Sequence, residues 1–327
     1  MAKLDLRVRL LGRVLKRFSV AGKSEARIRA EQKLSVRHNP VTDFMLGGLA
    51  AGVDVINDTA AGSGARIPVR IYRPAQNAET LPLVVFMHGG GWTFGTLNVY
   101  DGIASTIARD ARAVVVSLAY RLAPAHPWPA AVEDCYAAML EVSERAAEWA
   151  ADARRLAVVG DSAGGNLAAV LTLLARDRSG PALSFQGLVY PATDLTMGSA
   201  SIEENANAPM LTKQDMLRYR SLYAPQAEDY TNPCASPLLA PDHSRLPPAL
   251  IQVAEHDPLR DDGLRYADAL RAAGVPVRVT TYVGMPHGYL GFPRVFRSAP
   301  QALAELAAEL HRHLAPENVL HPRAEGA

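Results

Sequence analysis

Two glycine-rich stretches and two later loops hold the residue types that acyl-transfer chemistry needs. Ser162 sits in Gly160-Asp161-Ser162-Ala163-Gly164-Gly165, directly after the apolar run 156–159 and before the helical run 166–171. That order reads as strand, tight turn, helix, a turn that forces its central serine into a strained, exposed conformation above a sheet. Small residues flank it because strand and helix backbones approach closely there. His88-Gly89-Gly90-Gly91-Trp92 follows a second apolar run at 83–87, and its three glycines let the backbone come close to a ligand with its N–H groups inward. Attack of a serine on a carbonyl puts negative charge on the oxygen, and one pre-aimed donor is worth about 2.7–4 kcal/mol to that transition state. The complementary donor is the amide of Ala163, the residue after the nucleophile.

A serine hydroxyl needs a base within hydrogen-bond reach. Of nine histidines, His38, His126, His243, His311, His313 and His321 lie in termini, helices or polar loops, and His88 shapes the glycine loop. His256 and His287 remain. His287 follows the last apolar run in Gly284-Met285-Pro286-His287-Gly288-Tyr289, on a loop that Pro286 and Gly288 turn sharply, so it is the candidate base. The base in turn needs an acid to fix its tautomer and stabilise the imidazolium. Asp257, at the apex of the loop after 249–254, is the first choice and Glu255 the second; Asp261 and Asp262 read as the opening turn of the next helix, where acids favour the dipole. The chain order Ser162, Asp257, His287 is the one characteristic of α/β-hydrolases.

These residues must be held by strands and helices in alternation. Apolar runs at 83–87, 113–118, 156–159, 185–190, 249–254 and 277–283 are separated by helical patterns near 99–111, 129–149, 163–176 and 261–273, with another near 298–314. Such alternation predicts a mainly parallel sheet with helices on both sides, and ligands at the carboxyl ends of its strands. Upstream, 67–72 alternates apolar and polar as a half-buried strand does, with 53–56 as its partner and Pro68 pointing to an edge position. The alternation breaks between Pro191 and Pro247, where only 212–223 looks helical; an insertion of that length reads as a lid or cap. At the N-terminus Leu4, Val8, Leu11, Leu15 and Phe18 recur at helical spacing among Arg and Lys, a basic amphipathic helix that packs on the rest of the protein. The expected division is a cap segment at 1–50, a first core part at 51–192, a cap insertion at 193–235 and a second core part at 236–327.

The 327 residues are 49% hydrophobic and 20% charged, which suits a soluble globular protein, and the net charge of +1 gives no pull toward nucleic acid. No stretch approaches the roughly 18 apolar residues of a membrane helix, and charges interrupt residues 4–18, so no signal-sequence core is expected there. Cys135 and Cys234 lack metal-ligand or CxxC spacing and read as free thiols, which favours a reducing, cytoplasmic setting.

The same segments, with Tyr120-Arg121-Leu122-Ala123-Pro124 and Asp257-Pro258-Leu259 beside His287-Gly288, resemble the hormone-sensitive-lipase-like family of α/β-hydrolases over residues 65–314. Gly160-Asp161-Ser162-Ala163-Gly164 resembles the branch with aspartate before the nucleophile. The resemblance implies a serine carboxylesterase preferring short to medium acyl chains, with no metal or cofactor, and a cap made of the N-terminal segment and the insertion. It implies oxyanion donors among Gly89, Gly90, Gly91 and Ala163, with Gly90 favoured. Ala125 stands where relatives often carry an acid, outside the triad. Asp161 has no expected step in the reaction and reads as a hydrogen-bonding partner of nearby loops.

Trp92 and Phe94 beside the glycine loop, with Met210, Leu211, Leu217, Tyr219 and Leu222 of the insertion, are candidates for an apolar substrate pocket; the five insertion residues also fit the core of the cap, and that reading is the favoured one. The expected partner is a small ester, with a homodimer through an edge strand as a further expectation. The same triad would serve an amidase, lactonase or deacetylase. An interfacial lipase and a non-catalytic receptor on this fold are the remaining alternatives, and the presence of His287 argues against the receptor.

Overall fold

The apolar runs become the middle of an eight-stranded sheet in a computed structural model that describes residues 8, 12, 19–34, 36–75 and 79–316. In chain order the described elements begin with α1 (Glu25–Gln32), α2 (Pro40–Leu46), β1 (Val53–Ala61), β2 (Arg66–Pro74) and β3 (Leu81–Met87). Next come α3 (Leu97–Ala111), β4 (Val114–Leu118), α4 (Ala130–Glu144), β5 (Ala151–Asp161), α5 (Ala163–Asp177) and β6 (Phe185–Val189). The insertion supplies α6 (Ala200–Glu204) and α7 (Lys213–Tyr223), before β7 (Ala249–His256), α8 (Arg260–Ala272), β8 (Val277–Pro286) and α9 (Ser298–His313) close the chain.

The sheet order is β1-β2-β4-β3-β5-β6-β7-β8, so the chain reverses its winding between β3 and β5. From β4 to β8 every neighbour is parallel; β1 and β2 are attached antiparallel at one end. Every residue of β3 is buried, as a strand covered on both faces must be. Its side chains alternate between two layers. Leu83, Val85 and Met87 join the cluster that includes residues of α4, α5 and α8, while Val84 and Phe86 join the one made with α3 and α9.

Pro68 does not mark an edge: β2 lies between β1 and β4, and β1 is the outer strand. The proline is tolerated because β4 stops at Leu118, and the carbonyl of Pro68 only takes the amide of Ala119 beyond that end. Its missing N–H therefore falls where the ladder has already finished.

The interval 191–247 contains no strand among the described residues. Its main helix, α7, starts with a reciprocal cap in which Thr212 Oγ1 accepts from the amide of Asp215 at 3.1 Å while Asp215 Oδ2 accepts from the amide of Thr212 at 3.2 Å. The helix expected over 4–18 lies outside the described residues except for Val8 and Gly12, which are helical and buried. A Cβ on Gly12 would stand 2.5 Å from Cβ of Pro209, so the N-terminal segment abuts the insertion. His321 also lies outside the described residues. No described helix is long and apolar enough to cross a membrane.

Candidate active site

The site begins with backbone. Ser162 has φ 56° and ψ −119°, in a region L-residues rarely occupy, and its amide is tied to the carbonyl of Val189 at 2.8 Å. The strand and helix on either side touch: a Cβ on Gly160 would lie 2.2 Å from the carbonyl oxygen of Gly164, and one on Gly164 would lie 2.0 Å from that of Met87. Neither position has room for a side chain. The turn thus seats Ser162 at the carboxyl end of β5, between β3 and β6.

His287 and Asp257 arrive from neighbouring strand ends. Asp257 follows β7, is wholly buried, and accepts from the amide of Leu259 through Oδ1 at 2.8 Å. Its Oδ2 lies 2.7 Å from His287 Nδ1, and His287 Nε2 lies 2.8 Å from Ser162 Oγ. An acceptor on Nδ1 fixes the tautomer that leaves Nε2 free to take a proton from the hydroxyl. Tyr190 packs a tilted ring on the imidazole at 4.7 Å between centroids. Glu255, the second choice of acid, instead receives the amide of Gly284 at 2.8 Å and braces the strand leading to His287. His256 faces that same glutamate at 4.0 Å rather than Ser162.

The glycine loop is built around His88. Its ring is stacked on Tyr120 at 4.4 Å, its Nδ1 lies 2.8 Å from the carbonyl of Gly89, and burial pushes its pKa down to about 4. It is a neutral structural group. Gly90 and Gly91 have φ of 108° and 61°, a path open to glycine. Gly89 departs from the sequence expectation: its amide donates to Asp161 Oδ1 at 2.8 Å and to Tyr100 Oη at 3.0 Å, so it points into the wall and is not available to an oxyanion. The amides of Gly90, Gly91 and Ala163 donate to no protein acceptor among the described residues.

Asp161 is buried beside the serine. Burial raises its carboxyl to a pKa of about 6, against the pull of the Gly89 amide, of His287 and of the hydroxyls of Tyr100 and Tyr190. Sequence reasoning placed it among nearby loops without finding these partners, because Tyr100 and Tyr190 come from separate elements.

A cavity of about 280 Å³ opens over Ser162 and His287. Trp92, Met210 and Leu211 line it as expected, with Trp92 stacked on Tyr223 at 4.2 Å and 4°. Phe94 is not on its wall; that ring lies under the Lys23 ammonium at 5.7 Å. Of the insertion residues left open, Tyr219 lines the cavity and Leu222 is buried in the core. Ser19 and Val20 of the N-terminal arm also line it, and no sequence signal pointed to them. They are held by Asp215 of α7, whose Oδ1 accepts from Ser19 Oγ at 2.5 Å and from the amides of Val20 and Ala21 at 2.9 and 3.2 Å. Burial opposes ionisation of this carboxyl, but the bonds from Ser19, Thr212 and Ala21 outweigh it and hold the pKa below the usual aspartate value. Among the described residues no three His, Cys, Asp or Glu side chains converge so as to hold a metal ion.

Comparison with known proteins places this geometry. Residues 84–291 match the family described as alpha/beta hydrolase fold. Carboxylesterase NlhH of Mycobacterium tuberculosis is 47% identical over 251 residues, 76% of this chain and 79% of that protein. Ethyl acetate hydrolase of Pseudomonas putida is 35% identical over 275 residues, 83% of this chain and 86% of its own. Among solved structures, the hyperthermophilic esterase from the archaeon Pyrobaculum calidifontis superposes with a TM-score of 0.83 at 35% identity, covering 95% of this chain and 99% of that one.

Proposed function

The chain belongs to the α/β-hydrolase family, in its hormone-sensitive-lipase-like branch, and we propose that it hydrolyses carboxylic esters of short to medium acyl chain through an acyl-enzyme on Ser162. It is a carboxylic ester hydrolase, as are its relatives by name. The observation that carries the choice of residues is the unbroken relay from Ser162 Oγ through His287 to Asp257, at 2.8 and 2.7 Å.

Ser162 Oγ attacks the ester carbonyl carbon while His287 Nε2 takes its proton, and Asp257 stabilises the imidazolium through Nδ1. The carbonyl oxygen becomes an oxyanion, held by the amide of Ala163 and those of Gly90 and Gly91. Collapse breaks the bond to the leaving alkoxide, which takes the proton from His287. A water molecule then repeats the sequence on the acyl-enzyme, releasing the acid and restoring the serine. The chain-length reading is supported by the cavity of about 280 Å³, at the small end of ligand sites.

The N-terminal segment to about residue 50 and the insertion at 193–235 act as a cap on a core formed by 51–192 and 236–327. The contact of Gly12 with Pro209 and the bonds of Asp215 to residues 19–21 support that division. A second copy of the chain is the one protein partner in this reading, pairing along one of the two outer strands, β1 or β8, which expose Val55 and Ile56 or Val283. The compartment is the reducing cytoplasm, supported by the free thiols Cys135 and Cys234.

The deciding experiment is an aryl ester series from acetyl to palmitoyl, run beside labelling with an active-site phosphonate. Turnover peaking at short to medium chains, with labelling abolished in Ser162→Ala, is the expected result. Equal labelling of that variant would overturn the assignment of the nucleophile, and a maximum at palmitoyl would overturn the chain-length reading.

A further inference from the structure

We propose that Asp161 is a positioning residue of the reaction: its carboxylate fixes where the oxyanion loop stands relative to the nucleophile. The inference rests on the reading of Ser162 as that nucleophile.

The oxyanion donors come from two separate strand ends, the glycine loop after β3 and the elbow after β5. Gly89 and Asp161 lie 72 residues apart in the chain. Residues beside the donors join them non-covalently: Gly90 directly follows Gly89, Ala163 stands two residues after Asp161, and the Gly89 amide donates to Asp161 Oδ1 at 2.8 Å. The bond therefore indexes one half of the hole to the other. Tyr100 Oη takes a second share of the same amide at 3.0 Å and donates to Asp161 Oδ2 at 3.2 Å; Tyr190 Oη reaches that oxygen at 3.4 Å.

Three donors from three elements thus converge on one side chain, and an ionised carboxylate is acceptor-only. Replacing it with an apolar group would leave the two tyrosine hydroxyls without this acceptor and the Gly89 amide with only its longer bond to Tyr100 Oη. The fit is close: a Cβ on Gly89 would lie 2.6 Å from Asp161 Oδ2 and 2.9 Å from Tyr100 Oη. Asp257 already orients His287 through its other face, so Asp161 is not needed to orient the base. Its bonds run to the loop instead.

Such a residue acts on transition-state stabilisation, while ground-state binding falls to the apolar residues that line the cavity with it, among them Trp92, Met210 and Leu211. The test compares Asp161→Ala and Asp161→Asn with wild type on a short aryl ester and on a trifluoromethyl ketone that adds reversibly to the serine. For Asp161→Ala, kcat is expected to fall about 10²-fold, the scale of one lost oxyanion donor, with KM changed less than about threefold. Affinity for the ketone should fall by a similar factor. Asp161→Asn keeps one weaker, neutral acceptor and should lose about tenfold in kcat. Its kcat can be read by itself if the alanine variant does not fold. An unchanged kcat in either folded variant, a loss confined to KM, or ketone binding equal to wild type would overturn the proposal. Wild type failing to turn over esters would sink the reading of Ser162 and this proposal with it; normal wild-type turnover beside an unaffected Asp161→Ala overturns this proposal alone.

Discussion

The strand-end loops and the cavity wall are positioned by different forces. Ser162, Asp257 and His287 stand on short connections after β5, β7 and β8 of one sheet, and the serine is held by backbone contacts in which even a methyl group would clash. The wall opposite them is assembled from segments far apart in sequence, held by side chains. Asp215 reaches residues 19–21, Arg218 donates to the carbonyl of Lys23 at 3.2 Å, and Gln32 donates to the carbonyls of Thr93 and Ala123 at 2.6 and 2.7 Å. Under the proposed function, close backbone packing serves the bond-breaking chemistry and side-chain contacts shape the wall that meets the substrate. Substitutions should therefore separate into those that cost kcat and those that cost KM.

The largest effect expected is on the chemical side. Ser162→Ala or His287→Ala should lower kcat by a factor on the order of 10⁶, judged from other serine hydrolases and read by ester turnover. Next comes Gly164→Ala, whose Cβ would sit 2.0 Å from the carbonyl oxygen of Met87. Because the obstacle is backbone, the strand and helix must separate, and soluble yield and melting temperature should both fall sharply.

On the wall side, Asp215→Ala should raise KM several-fold for short aryl esters and widen the accepted chain length, while kcat for acetate esters stays within about threefold. A kcat loss as deep as that of Ser162→Ala would abolish the contrast between the two regions. The tether should also fail in acid. Its carboxyl titrates lower in the fold than in the unfolded chain, so its contribution to stability is present above the ordinary aspartate pKa of about 3.9 and disappears as pH falls through the depressed folded value.

Asp161 has the opposite sign. Its folded pKa of about 6 lies above the unfolded value, so its contribution is full at low pH and lost as pH rises through about 6. Tyr100, Tyr190, His287 and the Gly89 amide face it, and none of them removes that rise. Asp161→Asn has no such proton to lose, so its melting temperature should gain on wild type between about pH 5 and pH 7.5. The smallest effect expected is from His256→Ala, which should leave kcat/KM within about threefold, since that ring faces Glu255.

The same contrast explains what could be read from the sequence. The meeting of Ser162, His287 and Asp257 was legible because each sits just past an apolar run, and the order of the runs encodes the order of the loops. The alternation of strand and helix patterns likewise carried the parallel sheet. Pro68 misled because a proline reports only its own missing N–H, while the length of β4 decides whether that loss matters. Gly89 was grouped with Gly90 and Gly91 because three identical residues give no sign that one amide turns toward Asp161. Phe94 was placed on the wall by its proximity to Trp92, yet two residues along an irregular loop can face different ways. Ser19 and Val20 were invisible: Thr212 and Asp215 mark a helix start, but nothing local says that the spare carboxylate oxygen will grip a segment about two hundred residues away.

Tyr219 carries a consequence for anyone redesigning this protein. Its ring occupies the place a Gly91 side chain would need, with Cδ1 2.3 Å from that hypothetical Cβ. The insertion therefore meets the rest of the protein not only near the prolines at 191 and 247 but against the glycine loop itself. The insertion is not an interchangeable module. A graft from a relative with a smaller residue at 219 would leave a phenol-sized hole against the loop that must hold the developing charge, so a successful chimera has to carry the partner of Gly91 across with it.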